Sequence, residues 1–288
     1  MITRVAGITA AALALVGGTS AFSSQPAAHQ SNAQHARASR ASLRLSTHPM
    51  IPAPLPAAPA AAAARAIGNI RALGSRNWAG YAVSRNGVKF RKVSATIFVP
   101  FLNCAVTPRH TFSSAWVGLD GFSNGTVEQD GISADCAAGR AHYAAWYETF
   151  PNPEVATSIV IRPGDSITET VTFNPATSKY LMAVRDNTNH QHFAVAQKCA
   201  ARLCKRTSAE FISEAPGVNG KQSSLADYGA ESFASISIVS STGKRGGIVS
   251  GHWTGTQIFQ ANKATHHVLA IPTSLHAGTF DNYWQAKR

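Results

Sequence analysis

From Asn77 onward the chain is built of short runs in which apolar and polar residues alternate. A period of two sends successive side chains to opposite faces of a sheet. The pattern predicts strands at Trp78–Val83, Val88–Val99, Ala115–Asp120, Thr126–Ile132 and Ala141–Glu148. It predicts more at Ser158–Arg162, Ser166–Phe173, Tyr180–Arg185, His192–Ala196, Glu231–Val239, Ile248–Thr254 and His267–Ile271. Turn signals separate them, among them Arg85-Asn-Gly87, Arg162-Pro-Gly-Asp165, Asp186-Asn-Thr-Asn189 and Thr242-Gly-Lys-Arg-Gly-Gly247. Amphipathic helix is nearly absent and no fixed-period repeat appears. The expectation is an all-β domain, a sandwich or a barrel.

One stretch, Ser113–Glu148, mixes carboxylates with tryptophans on these strands. Alternation puts Trp116, Gly118 and Asp120 on one face, and Trp146 with Glu148 on another strand's equivalent face. Tryptophan beside carboxylate reads as a groove more than as a core. The word Ser208-Ala-Glu-Phe-Ile-Ser-Glu-Ala-Pro216 brings Glu214 from far along the chain. Glu128 falls opposite Gln129, so it is read as structural, while regular spacing puts Glu210 on the face of Glu214.

Before Asn77 the texture changes. Met1–Ala21 has Arg4, an apolar run Val5–Val16 and a small-residue site at Thr19-Ser-Ala21, the form of a secretory signal. Residues 22–74 are rich in Ala, Pro, Ser, His and Arg, which suits a linker or a propeptide, with Ala60–Leu73 a candidate short helix. Arg37, Arg40, Arg44, Arg65 and Arg71 have no acid near them and suggest a cationic segment lying over an acidic groove. Residues 75–288 are then the folded domain.

The net charge of +12 arises from the chain before Asp120, the first acid, with seven of those basic residues ahead of Asn77. No recognition motif accompanies it, so nucleic acid is not expected as a partner. Export allows disulfides. Four cysteines permit three pairings, of which Cys104–Cys136 with Cys199–Cys204 is preferred, against a metal site shared with His190 and His192.

Residue chemistry alone leaves several readings open. Glu148 and Glu214 would serve a glycoside hydrolase, and an aromatic groove would serve a non-catalytic carbohydrate-binding module. A Ser-His-Asp hydrolase lacks its G-x-S-x-G elbow, and no H-E-x-x-H, P-loop or dinucleotide fingerprint occurs.

A series of words narrows the choice. Asn77-Trp-Ala-Gly-Tyr81, Val93-Ser-Ala-Thr96, Trp116-Val-Gly-Leu-Asp-Gly121, Val127-Glu-Gln129, Ala145-Trp-Tyr-Glu148, Pro163-Gly-Asp165, Ser208–Pro216 and Leu225-Ala-Asp-Tyr-Gly229 occur in this order. Together they resemble the glutamic peptidases, or eqolisins, and the bacterial branch in particular. The resemblance implies a two-sheet antiparallel, concanavalin-like β-sandwich and a secreted endopeptidase working in acid on protein or peptide substrates. It implies Gln129 and Glu214 as the catalytic pair, with Asp120 and Glu148 binding substrate or tuning Glu214. Trp78, Trp116 and Tyr147 are expected as walls for substrate side chains. No metal or other cofactor, a monomer, and no membrane association after signal removal are expected. Asp130, where a small hydroxyl residue is usual, would put another acid near the catalytic pair.

Overall fold

The computed structural model describes residues 45–55, 70–107, 110–201 and 204–286. Twenty strands and no helix occur among them. In chain order they are β1 (Leu45–Ser46), β2 (Pro52–Ala53), β3 (Ile70–Ser75), β4 (Trp78–Ser84), β5 (Phe90–Phe98), β6 (Ser114–Leu119) and β7 (Val127–Ala137). Next come β8 (Arg140–Phe150), β9 (Val155–Ala156), β10 (Ser166–Asn174), β11 (Lys179–Asp186), β12 (His192–Lys198) and β13 (Ser208–Glu214). The last are β14 (Gly217–Val218), β15 (Lys221–Gln222), β16 (Ala230–Ser240), β17 (Arg245–Gly246), β18 (Thr254–Ala261), β19 (Val268–Pro272) and β20 (Phe280–Trp284).

Two layers result, as the sandwich expectation requires. A first sheet runs β3-β18-β4-β13-β6-β7-β8, antiparallel except for the β3–β18 pair. A second sheet runs β16-β5-β10-β11-β12, all antiparallel. Strand β20 pairs with both β16 and β19 and so links the layers. Between the sheets lies the main core, including Tyr81, Val117, Phe211, Val93, Val171 and Met182. Burying these apolar faces against each other is what holds the layers together.

Both disulfides take the preferred pairing. Cys104–Cys136 ties the loop before β6 to the end of β7, and Cys199–Cys204 closes a short loop after β12. Their sulfurs are therefore not thiolate ligands for a metal with His190 and His192.

Three local expectations are corrected. Ser158–Arg162 is not a strand: Ile159 and Ile161 alternate because they pack on the core, while Ile159 N and Val160 N donate to side chains of Thr157 and Gln191. Ile248–Thr254 is a turn that buries Trp253, whose Nε1 donates to Gly247 O at 2.9 Å. The strand there begins only at Thr254. The end of the candidate helix Ala60–Leu73 belongs instead to β3, and its first ten residues lie outside the described ones. Outside them also lie the signal segment and Arg37, Arg40, Arg44 and Arg65. Arg71 sits exposed on β3, in the sheet.

Candidate active site

The outer face of the first sheet is set by its register. Trp78, Glu214, Ser114 and Ser133 are aligned across β4, β13, β6 and β7. Gly80, Ile212, Trp116, Gly131 and Trp146 form the next row, and Glu210, Gly118, Gln129 and Glu148 the one after. Directly paired residues point to the same side. Gln129, Glu148, Glu210 and Glu214 thus share one face, with three tryptophans among them.

Two glycines make this arrangement possible. A Cβ at Gly131 would lie 2.6 Å from Trp116 Cβ and 2.7 Å from Trp146 Cζ2, and one at Gly118 would lie 2.9 Å from Trp116 Cζ3. The indole of Trp116 therefore occupies space that only glycine leaves free. Trp78 meets it edge-on at 5.1 Å, and the two pack with Ile212 and Val127 in a small cluster of their own.

These tryptophans are more than apolar walls. Glu214 Oε2 accepts from Trp78 Nε1 at 3.1 Å and from Trp116 Nε1 at 3.2 Å. Its Oε1 accepts from Asn77 Nδ2 at 2.9 Å and from the backbone N of His48 at 3.0 Å. Four donors occupy the four lone-pair sites of one carboxylate.

Glu148 is treated in the same way. It accepts from Ser46 Oγ at 2.5 Å, Thr47 N at 3.1 Å, Thr47 Oγ1, and Gln129 Nε2 at 2.8 Å. The second hydrogen of Gln129 Nε2 goes to Thr47 Oγ1, while Gln129 Oε1 is buried without a partner. Gln129, Glu148 and Glu214 are all fully buried.

Burial dominates the electrostatics. It pushes Glu148 up to about 8, against the donors from Ser46 and Thr47 that favour the ionised form and with the nearby Glu154 adding to the rise. It holds Glu214 well above the usual carboxylate range, opposed by Asn77 and His48 N and aided by Glu148. Glu210 is raised likewise, first by burial and opposed by Ser208.

The covering groups come from a segment that sequence reading left inside a linker or propeptide. Leu45 and Ser46 pair antiparallel with Val218 and Gly217. His48 O accepts from Trp78 Nε1 at 2.8 Å, and Asn77 Nδ2 reaches both His48 O and Pro49 O. The half-buried His48 ring lies 5.4 Å from Phe150, and a Cβ at Gly217 would fall 2.1 Å from its Cε1. Burial lowers its pKa from the ordinary 6.5. Beyond it, Met50 N donates to Gly121 O, Ile51 N donates to Asn77 Oδ1, and β2 pairs with β3. The word Ser46-Thr-His-Pro-Met-Ile51, free of alanine within an alanine-rich stretch, is the one signal that sets it apart. Asn77, named only within a longer word, is the other contributor that went unassigned.

Other expected residues lie elsewhere. Asp120 leaves the strand alternation with φ 73, and its carboxylate accepts from Asn124 Nδ2, Arg206 N and Thr207 N. It anchors a loop beside β13. Tyr147 points between the sheets and stacks on Phe193 at 5.7 Å, as period two demands of a neighbour of Glu148. Asp130 also faces inward, away from Gln129, where Ala183 N donates to it at 2.6 Å and where it raises Glu169 of the second sheet. Its own carboxyl is held well above the usual range, chiefly by burial. Glu128 lies beside Cys204, raised to about 9 by burial and then by Asp120.

Residues 76–275 match the model of the Peptidase A4 family. Among solved structures, the chain is similar to a scytalido-glutamic peptidase with a transition state analog inhibitor. That similarity has a TM-score of 0.62 and 25% identity, over 73% of this chain and 98% of that one. It is also similar to aspergilloglutamic peptidase from Aspergillus niger, with a TM-score of 0.52 and 25% identity over 61% and 99%. SCP-B, an eqolisin in complex with the tripeptide Ala-Ile-His, shares the fold at a TM-score of 0.56, with 24% identity over 73% and 98%. No curated protein sequence matches the chain.

Proposed function

The chain belongs to the Peptidase A4 family and is a glutamic endopeptidase, and from that premise we propose that Glu214 and Gln129 carry out the hydrolysis. The carbohydrate-binding and glycoside hydrolase alternatives give way to the family. Proteins or peptides are the substrates.

The observation that carries the residue assignment is convergence. Three consecutive residues of one peptide segment, Ser46–His48, touch Gln129, Glu148 and Glu214 together. A slot that holds one extended segment against all three suits an extended substrate.

In the reaction, Glu214 takes a proton from water as the water oxygen bonds to the scissile carbonyl carbon. The oxyanion accepts from Gln129 Nε2, a donor available at any pH. Glu214 then returns the proton to the amide nitrogen, the C–N bond breaks, and an acid and an amine leave. Gln129 Oε1, without a partner in the covered site, is an acceptor for the attacking water. Glu148 fixes the amide of Gln129 through their 2.8 Å hydrogen bond. Once water enters the cleft, Glu214 loses much of its desolvation and moves toward its ordinary 4.5. An ionised base in mild acid follows.

Secretion is part of this reading, and so is synthesis as a precursor. Two disulfides suit an oxidising compartment, and residues 1–21 read as a signal. The test is digestion of denatured protein at pH 3–4 and at pH 7. Peptide products in acid that vanish in Glu214→Gln and fall steeply in Gln129→Ala support the assignment. Full proteolysis by Gln129→Ala would sink it.

A further inference from the structure

Resting on that reading, we infer that Ser46–Thr47–His48 is an intramolecular inhibitor, and that the Thr47 hydroxyl is the group that disarms the catalytic amide. The observation is an inventory of donors and acceptors. Gln129 Nε2 has two hydrogens, and both are committed, one to Thr47 Oγ1 and one to Glu148. None is left for a carbonyl oxygen. Thr47 Oγ1 passes its own hydrogen to Glu148, so a single side-chain hydroxyl is both acceptor and donor at the centre of the site.

Glu214 is blocked by the main chain of the next residue. His48 N fills the last site on Oε1, and His48 O shares the Trp78 indole N–H with Glu214. A water seeking Glu214 as its base finds every acceptor site taken. The segment thus binds along the slot without offering a bond for cleavage. Its amide nitrogen meets the base, and its side chain, not its carbonyl, meets the oxyanion donor.

The segment is held beyond the site as well. Leu45 is buried, β1 extends the β14–β15 hairpin, and Ile51 and Pro52–Ala53 are tied to Arg76 and β3. Hydrogen bonds and burial carry these contacts.

The test uses the full chain with wild-type sequence and with Thr47→Val, which keeps shape and removes the hydroxyl. Initial rates on a fluorogenic peptide in mild acid are compared, while mass spectrometry verifies that residues 45–55 are still attached. Losing hydrogen bonds to a carboxylate and a buried amide predicts an initial rate about tenfold or more above wild type. Equal initial rates with the segment intact overturn the inference, even with the peptidase reading unharmed. Hydrogen exchange supplies a readout independent of activity. Thr47 and His48 amides exchange slowly in wild type and faster in Thr47→Val. Fast exchange at both in the wild-type chain means the segment is not seated, and the inference fails. Absence of hydrolysis from every form, with those amides protected, would instead count against the catalytic assignment.

Discussion

Across the outer face of the second sheet, Lys92, Thr172, Leu181 and Ala196 lie in one row, with Ser94, Thr170, Ala183 and Ala194 beside them. Thr96, Thr168, Arg185 and His192 make a third row. These residues are partly or fully exposed, and hydroxyls bond to each other across strands, Ser94 to Thr170 at 2.7 Å. The corresponding face of the first sheet carries Trp78, Trp116, Trp146, Gln129 and three glutamates, all buried. The contrast extends through the molecule. Twelve of the fourteen carboxylates are buried, while among the described residues no Lys or Arg is. Positive charge lies on the surface, where water solvates it. Acids lie inside, and burial favours the neutral form of Glu128, Asp130, Glu148, Glu169, Glu210, Glu214 and Glu231. A protein arranged so keeps those seven carboxyls neutral in acid.

The largest expected difference between the two faces is catalytic. Glu214→Gln removes the base and should abolish peptide hydrolysis, and Gln129→Ala should lower kcat by about 10²–10³-fold. Thr170→Ala on the other face should leave kcat unchanged and stability within about 0.5 kcal/mol. A comparable loss from Thr170→Ala would break the comparison.

The buried acids give the next effect. Glu231 is raised to about 7 and Glu128 to about 9, both chiefly by burial. In the unfolded chain each ionises near 4.5. A folded-state pKa above the unfolded one means stability is fully present below about pH 4.5 and is lost as pH rises through 7 to 9. Thermal melting should therefore give the highest Tm in acid and a Tm that falls toward pH 9. Glu231→Gln should flatten the fall between pH 4.5 and 7. A Tm that rises from pH 4.5 to 9 would contradict the account.

Disulfide removal should separate the sheets by a smaller margin. The Cys104–Cys136 bond spans 32 residues and Cys199–Cys204 spans 5. Loop entropy then predicts losses of about 4 and about 2 kcal/mol for the paired Cys→Ser changes, measured by denaturant unfolding. Gly131→Ala should cost about 1–3 kcal/mol, from crowding against Trp116, Trp146 and the Ala115 carbonyl. Its melting point should drop by a few degrees, and its hydrolysis should drop as Trp116 shifts from Glu214.

The same contrast explains what the sequence made legible. In β10 and β11, one face is core and the other solvent, so apolar and polar residues alternate and the strands are read directly. Strand β13 is buried on both faces, and its alternation is erased. The word holding Glu214 therefore looked like a polar cluster, and its placement beside Glu148 came from family resemblance. Period two alone assigned Glu128 to the face opposite Gln129, and the same rule, had it been applied to Tyr147 beside Glu148, puts that ring between the sheets and not on a substrate wall. It failed for Asp120, whose positive φ turns the carboxylate away. It was applied too narrowly for Asp130, whose adjacency to Gln129 in sequence means separation by the thickness of the sheet. Nothing local reveals where Ser46–His48 goes, because its partners lie from about thirty to more than a hundred and sixty residues away.

The pairing of β2 with β3 has one further meaning. Because β3 is a strand of the first sheet, the covering segment is moored at its far end as well as at the site, with only the chain between Leu55 and Ile70 joining them. A covalently joined peptide returns to its slot by an intramolecular step, whatever the dilution of the protein. Departure alone therefore leaves the cover free to return.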